Sequence, residues 1–116
     1  MSENRREFFR VIFHESVNGK ITRLGEAPLF INVENISVNG MRFTSPVNIS
    51  MNERMEFGFE ILDNAFLIEG TIVRKATRND RVEYGVGFKI DQETASELFK
   101  ILNYYQIRQR KGSYAD

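Results

Sequence analysis

The 116-residue sequence predicts an all-β-dominated fold, a small antiparallel β-barrel of about six strands with a C-terminal α-helix. Three observations predict it. Short aromatic and β-branched runs recur from Phe8 to Phe88, several of them alternating with a period of two. Turn-forming dipeptides punctuate those runs. After Ile90 the apolar spacing changes to that of a helix.

The elements follow in order. Phe8 to Phe13 suits a pleated, half-buried surface. Asn18-Gly19 is a strong hairpin dipeptide, so a turn is expected there, followed by a short strand near Lys20 to Leu24. Leu29 to Ile36 alternates, with Leu29, Ile31 and Val33 on one side and Phe30, Asn32 and Glu34 on the other. Asn39-Gly40 predicts a second turn, leading into Met41 to Thr44. Met55 to Ile61 alternates again, and Asp63-Asn64 offers a turn before Phe66 to Arg74. Asn79-Asp80 precedes a last strand, Val82 to Phe88.

Beyond Ile90, Ala95, Leu98, Phe99 and Leu102 make the stripe of an amphipathic helix. Asp91 is its expected N-cap and Gly112 its expected stop. Glu93 in the first turn, and Arg108, Arg110 and Lys111 near the end, match the helix dipole.

Composition narrows the function. With 41% apolar residues and ten phenylalanines, the chain can build a core, and its length fits one domain over residues 1–116. Lys and Arg number 16, as do Asp and Glu, so the chain is formally neutral. A general nucleic-acid binder carries excess basic charge, which weighs against a nucleic-acid polymer as partner. There are no cysteines, which excludes disulfides and thiolate ligands, and the one histidine, His14, has no partner motif. No nucleophile–base pair is visible, so no catalysis, metal or cofactor is expected. The N-terminus lacks the apolar core of a signal peptide, and no apolar run nears the ~20 residues that span a bilayer. A soluble, cytoplasmic protein with no transmembrane segment is the expectation.

Two segments carry the chemistry. Arg5-Arg6-Glu7-Phe8-Phe9-Arg10 contains an R-x-x-x-R spacing with a further arginine before it. Asn35-Ile36-Ser37-Val38-Asn39-Gly40 has the form (Asp/Asn)-x-Ser-x-x-Gly. Alone, the first reads as a solvated arm and the second as an Asx or Ser turn. Together they make a local positive cluster and a wall of small polar groups. Arg pairs phosphate oxygens bidentately, meets guanine O6 and N7, and stacks on bases. Asn35 and Ser37 can each donate and accept. Gly40 allows either a tight turn or a close backbone approach.

These motifs, in this order on an all-β pattern, resemble those of the PilZ domain family. Glu69-Gly70-Thr71-Ile72-Val73-Arg74 and Tyr84-Gly85-Val86-Gly87-Phe88 resemble two of its strands, so the likeness covers nearly the whole chain. The chain departs from the common pattern in having Asn35 for Asp and Asn39 for Gly. Asn39 still tolerates positive φ, whereas Asn35 loses a charged acceptor for guanine N–H groups.

The resemblance implies a PilZ-like barrel over 11–90, a helix over 91–110, and a mobile arginine-rich segment over 1–10. It implies a receptor for cyclic-di-GMP, bound by Arg5, Arg6 and Arg10 on one side and Asn35, Ser37 and Gly40 on the other. Ligand binding would order the arginine segment and signal to a separate effector protein. Arg5 resembles the residue of members that hold two stacked ligands per chain. The alternatives on the same fold are a ligand-independent interaction adaptor and, in second place, a small barrel for single-stranded nucleic acid.

Overall fold

The computed structural model describes residues 10–23 and 25–115. Among them, six strands run β1 (Arg10–Thr22), β2 (Leu29–Ser37), β3 (Gly40–Ser45), β4 (Arg54–Ile61), β5 (Asn64–Arg78) and β6 (Arg81–Lys89), followed by α1 (Gln92–Ala115). The strands close into an antiparallel barrel in the order β1-β2-β3-β6-β5-β4. β1 closes the barrel against β4 over Gly19 to Thr22.

Alternation decides which residues fill the barrel. Ile31 and Val33 of β2 point inwards, as do Met55, Phe57, Phe59 and Ile61 of β4. Phe30 and Asn32 point out. At the centre, Phe43 stacks on Tyr84 at 5.1 Å and meets Phe57 at 5.9 Å. The buried Tyr84 hydroxyl donates to the Val47 carbonyl and accepts from the Ile49 N–H, both at 2.8 Å. One side chain thus fills the core and fixes the loop between β3 and β4.

Three expected strand boundaries differ from the structure. β1 runs straight through Asn18-Gly19. Gly19 is buried between Ile31 and Phe59 on the neighbouring strands, where a Cβ would press on Val33 and the Gly58 carbonyl. The glycine answers crowding inside the barrel, and the chain reverses later, between Arg23 and Pro28. In the β4–β5 hairpin, Leu62 and Asp63 take the left-handed conformation, so Asn64 already begins β5. β5 also extends past Arg74 to Arg78, pairing with β6 as an exposed arm with no inward face to show in the sequence.

The helix begins as expected. The Thr94 N–H donates to Asp91 Oδ1 at 2.7 Å, and hydrogen bonding from Thr94 holds the Asp91 carboxyl below its ordinary range. Leu98 and Leu102 are buried, with Ile101 and Tyr105 beside them. Phe99, expected in that stripe, is 49% exposed. Tyr105 meets Phe13 of β1 edge to face, and α1 packs against β2 and β4. The helix continues through Gly112 to Ala115. A glycine costs a helix only about 1 kcal/mol, too little by itself to end this one. No helix among the described residues is long and apolar enough to cross a membrane.

Candidate functional site

The two motifs meet in space. Arg10 opens β1 and its strand pairs Arg10 with Ser37 and Ile12 with Asn35. The guanidinium spans both polar residues. Nη1 donates to Asn35 Oδ1, and Nη2 donates to Ser37 Oγ at 3.3 Å. Ser37 Oγ also accepts from the Asn39 N–H at 3.1 Å, so the hydroxyl ties the turn to the arginine. An arginine carries five N–H donors, so Arg10 keeps donors for a further anion after these two bonds.

Arg10 and Asn35 line an open cleft of about 330 Å³ on the outer wall of the barrel. Three more cations line it: Arg42 from β3, and Arg74 and Lys75 from β5. One carboxylate, Glu83 of β6, faces them among the described lining residues. A formally neutral chain therefore gathers positive charge at one place. Burial, and then the charge of Arg42, push the Arg10 guanidinium below its usual range. Such a site favours an anion that satisfies both cations.

Register explains why these residues share a wall. Asn35 pairs with Arg42, Arg42 with Gly85, and Gly85 with Arg74. One row thus crosses four strands, with Gly85 as a gap between two arginines. A Cβ at Gly85 would lie 3.1 Å from Arg74 Cβ, so the arginine stem rests on bare backbone. A register shift between Ile72 and Arg74 turns Arg74 outwards one position after exposed Val73.

The expected site residues divide into groups. Arg10, Asn35 and Ser37 come together as described. Ser37 is fully buried and touches the cleft only through Arg10. Gly40 begins β3, buried, and does not line the cleft. A Cβ there would overlap the Val86 carbonyl oxygen of β6, so the close backbone approach is to the protein's own chain. Asn39 does not take a positive φ, so its place needs no glycine; its carbonyl accepts from the Phe88 N–H at 2.8 Å. Arg5, Arg6 and the expected mobile segment lie outside the described residues, apart from Arg10 at its end.

Sequence reasoning missed Arg42, Arg74, Lys75 and Glu83. Arg42 was legible in principle, as the outward position two residues after Gly40. The shift before Arg74 has no such period-two signal.

The barrel, its motif pair and the cation-lined cleft define a small closed β-barrel domain with one polar, positively lined cleft. The chain belongs to the PilZ domain family, whose profile matches residues 4–104. Among solved structures, it is similar to YcgR from Escherichia coli in complex with c-di-GMP, at 14% identity and a TM-score of 0.80. That match covers 96% of this chain and 50% of YcgR. The K. pneumonia MrkH–c-di-GMP complex matches at 10% identity and a TM-score of 0.74, covering 94% of this chain and 55% of that one. Borreliella burgdorferi PlzA, also in complex with c-di-GMP, matches at 21% identity and a TM-score of 0.59, covering 89% and 42%. The chain thus spans about half the length of YcgR and MrkH, and less of PlzA. At these identities the likeness is one of fold. No curated protein matches the sequence significantly.

Proposed function

We propose that this protein is a cyclic-di-GMP receptor that changes conformation on binding and signals to a separate effector protein. One observation carries the reading: Arg10, Asn35 and Ser37 are joined by hydrogen bonds at the end of an open, cation-lined cleft. Cyclic-di-GMP is a dianion bearing two guanines. The cleft offers guanidinium groups for its phosphates and for guanine O6 and N7, and an amide for a base edge. Membership of the PilZ family, and the ligand held by YcgR, MrkH and PlzA, support the same ligand here.

Each member of the site has a task in this reading. Arg10 contacts the ligand with its remaining donors while Asn35 and Ser37 hold its plane. Arg42, Arg74 and Lys75 extend the positive wall across β3 and β5. Arg5 and Arg6 close over the ligand from the N-terminal side, and Arg5 admits a second, stacked ligand. Closing that segment alters the surface offered to the effector, which is the conformational signal. No step of this scheme requires a metal, a cofactor or catalysis.

Calorimetric titration with cyclic-di-GMP, beside a single-stranded oligonucleotide of equal phosphate concentration, tests the class. The reading requires saturable binding of the dinucleotide and weaker, strongly salt-dependent binding of the polymer. Equal or tighter binding of the oligonucleotide favours the nucleic-acid barrel. Binding of neither favours the ligand-independent adaptor.

A further inference from the structure

Glu83 is the odd residue in the cleft, an acid among cations. It projects from β6 with its side chain only 18% exposed and contacts two arginines from different strands. Arg42 Nη1 of β3 lies 3.8 Å from Oε2, and Arg78 Nε of β5 lies 3.4 Å from Oε1. A second acid, Glu34 of β2, is near enough that the charge of Glu83 acts on its carboxyl. We propose that Glu83 is an internal counter-anion that holds Arg42 in the unliganded cleft, and that a bound dianion takes Arg42 from it. This rests on the receptor reading above and adds a residue that sets how tightly the ligand is held.

Charge and geometry support the exchange. Arg10 and Arg42 line the same cleft and repel each other. Without a ligand, a local anion relieves that repulsion, and among the described residues Glu83 is the carboxylate within ion-pair distance of Arg42. The contact is long and Arg42 is 46% exposed, so the pair is weak and the arginine can leave it. Arg78, held by the other carboxylate oxygen, keeps Glu83 paired when Arg42 departs. Burial, and then the charge of Glu83, raise the Glu34 carboxyl above its ordinary range, while the charge of Arg42 acts in the opposite direction. A ligand phosphate offers Arg42 a bidentate partner in place of a weak one. The ligand must also approach a standing negative charge. Glu83 therefore lowers affinity and raises the second-messenger concentration at which the site fills.

The test is a double-mutant cycle read by calorimetry with cyclic-di-GMP. Glu83→Gln is expected to bind about two- to fivefold tighter than the parent, the scale of one exposed ion pair. Its affinity is also expected to fall more steeply with added salt, because Arg42 is no longer neutralised internally. In an Arg42→Gln background the gain from Glu83→Gln is expected to vanish. Unchanged or weaker binding by Glu83→Gln overturns the proposal. So does a gain of equal size without Arg42, which would leave only general repulsion. Should Glu83→Gln fail to fold by thermal melting, Glu83→Ala, which also removes the charge, is judged by the same outcomes. A parent that binds no cyclic-di-GMP overturns the receptor reading and this proposal with it. A parent that binds, with no gain on substitution, overturns this proposal alone.

Discussion

The Arg10 guanidinium donates to the side-chain oxygen of Asn35, 25 residues further along the chain. The bond joins the end of the arginine motif to the start of the second motif, and it forms at the edge of the cleft. Two sequence patterns that are weak singly become one polar constellation through the pairing of β1 with β2. Consequences follow for each residue involved.

Arg10→Ala should weaken cyclic-di-GMP binding without unfolding the barrel. Losing a charge-assisted contact costs about 1.5–3 kcal/mol, or roughly a tenfold to hundredfold rise in Kd. Calorimetry measures the loss, and a thermal melt close to the parent's shows that the fold survives. Parent-like titration by the variant would make Arg10 an ordinary surface charge.

Ser37→Ala should weaken binding less. The hydroxyl is buried and acts by accepting from Arg10 and from the Asn39 N–H. Loss of a neutral partner costs about 0.5–1.5 kcal/mol. Part of that cost should appear as lower stability, because the Asn39 N–H loses its acceptor. A larger binding defect than that of Arg10→Ala would place the hydroxyl on the ligand itself.

Gly40→Val should act on folding before it acts on binding. Its Cβ would overlap the Val86 carbonyl oxygen, which belongs to backbone and cannot rotate away. Overpacking of this kind costs about 1–3 kcal/mol or more. Urea unfolding should show a clearly lower midpoint. A variant with parent stability and no binding would instead make Gly40 a ligand contact.

Arg5→Leu should change the number of ligands bound more than the fact of binding. Two stacked dinucleotides carry twice the charge of one, and a third guanidinium both offsets it and stacks on the outer base. Titration at protein concentrations far above Kd should give two ligands per parent chain and fewer in the variant. A ratio of two that persists in Arg5→Leu would remove Arg5 as the cause.

Much of the barrel was legible because one face of each strand is buried. Ile31 and Val33 inside, with Phe30 and Asn32 outside, repeat the alternation of the sequence. The helix start was legible because Asp91 caps it locally. What stayed hidden depends on partners distant in sequence. Asn18-Gly19 looks like a turn, but Gly19 is there because Val33 and the Gly58 carbonyl crowd it from two other strands. Gly40 looks like a ligand-facing glycine, but Val86 dictates it. The same holds for the site. Arg10, Asn35 and Ser37 were marked by motif, whereas Arg42, Arg74 and Glu83 join them only through the register of β3, β5 and β6.

The central claim, that this cleft is a cyclic-di-GMP site organised by Arg10, is tested most directly by a single measurement. A 1H–15N correlation spectrum of the parent chain is recorded as cyclic-di-GMP is added. The account predicts saturable shifts centred on Arg10, Asn35, Arg42 and Arg74, including the arginine Nε–H signals, with little change at the opposite wall around Gly58 and Leu67. Shifts centred on that opposite wall, or no saturable shifts at all, would contradict it.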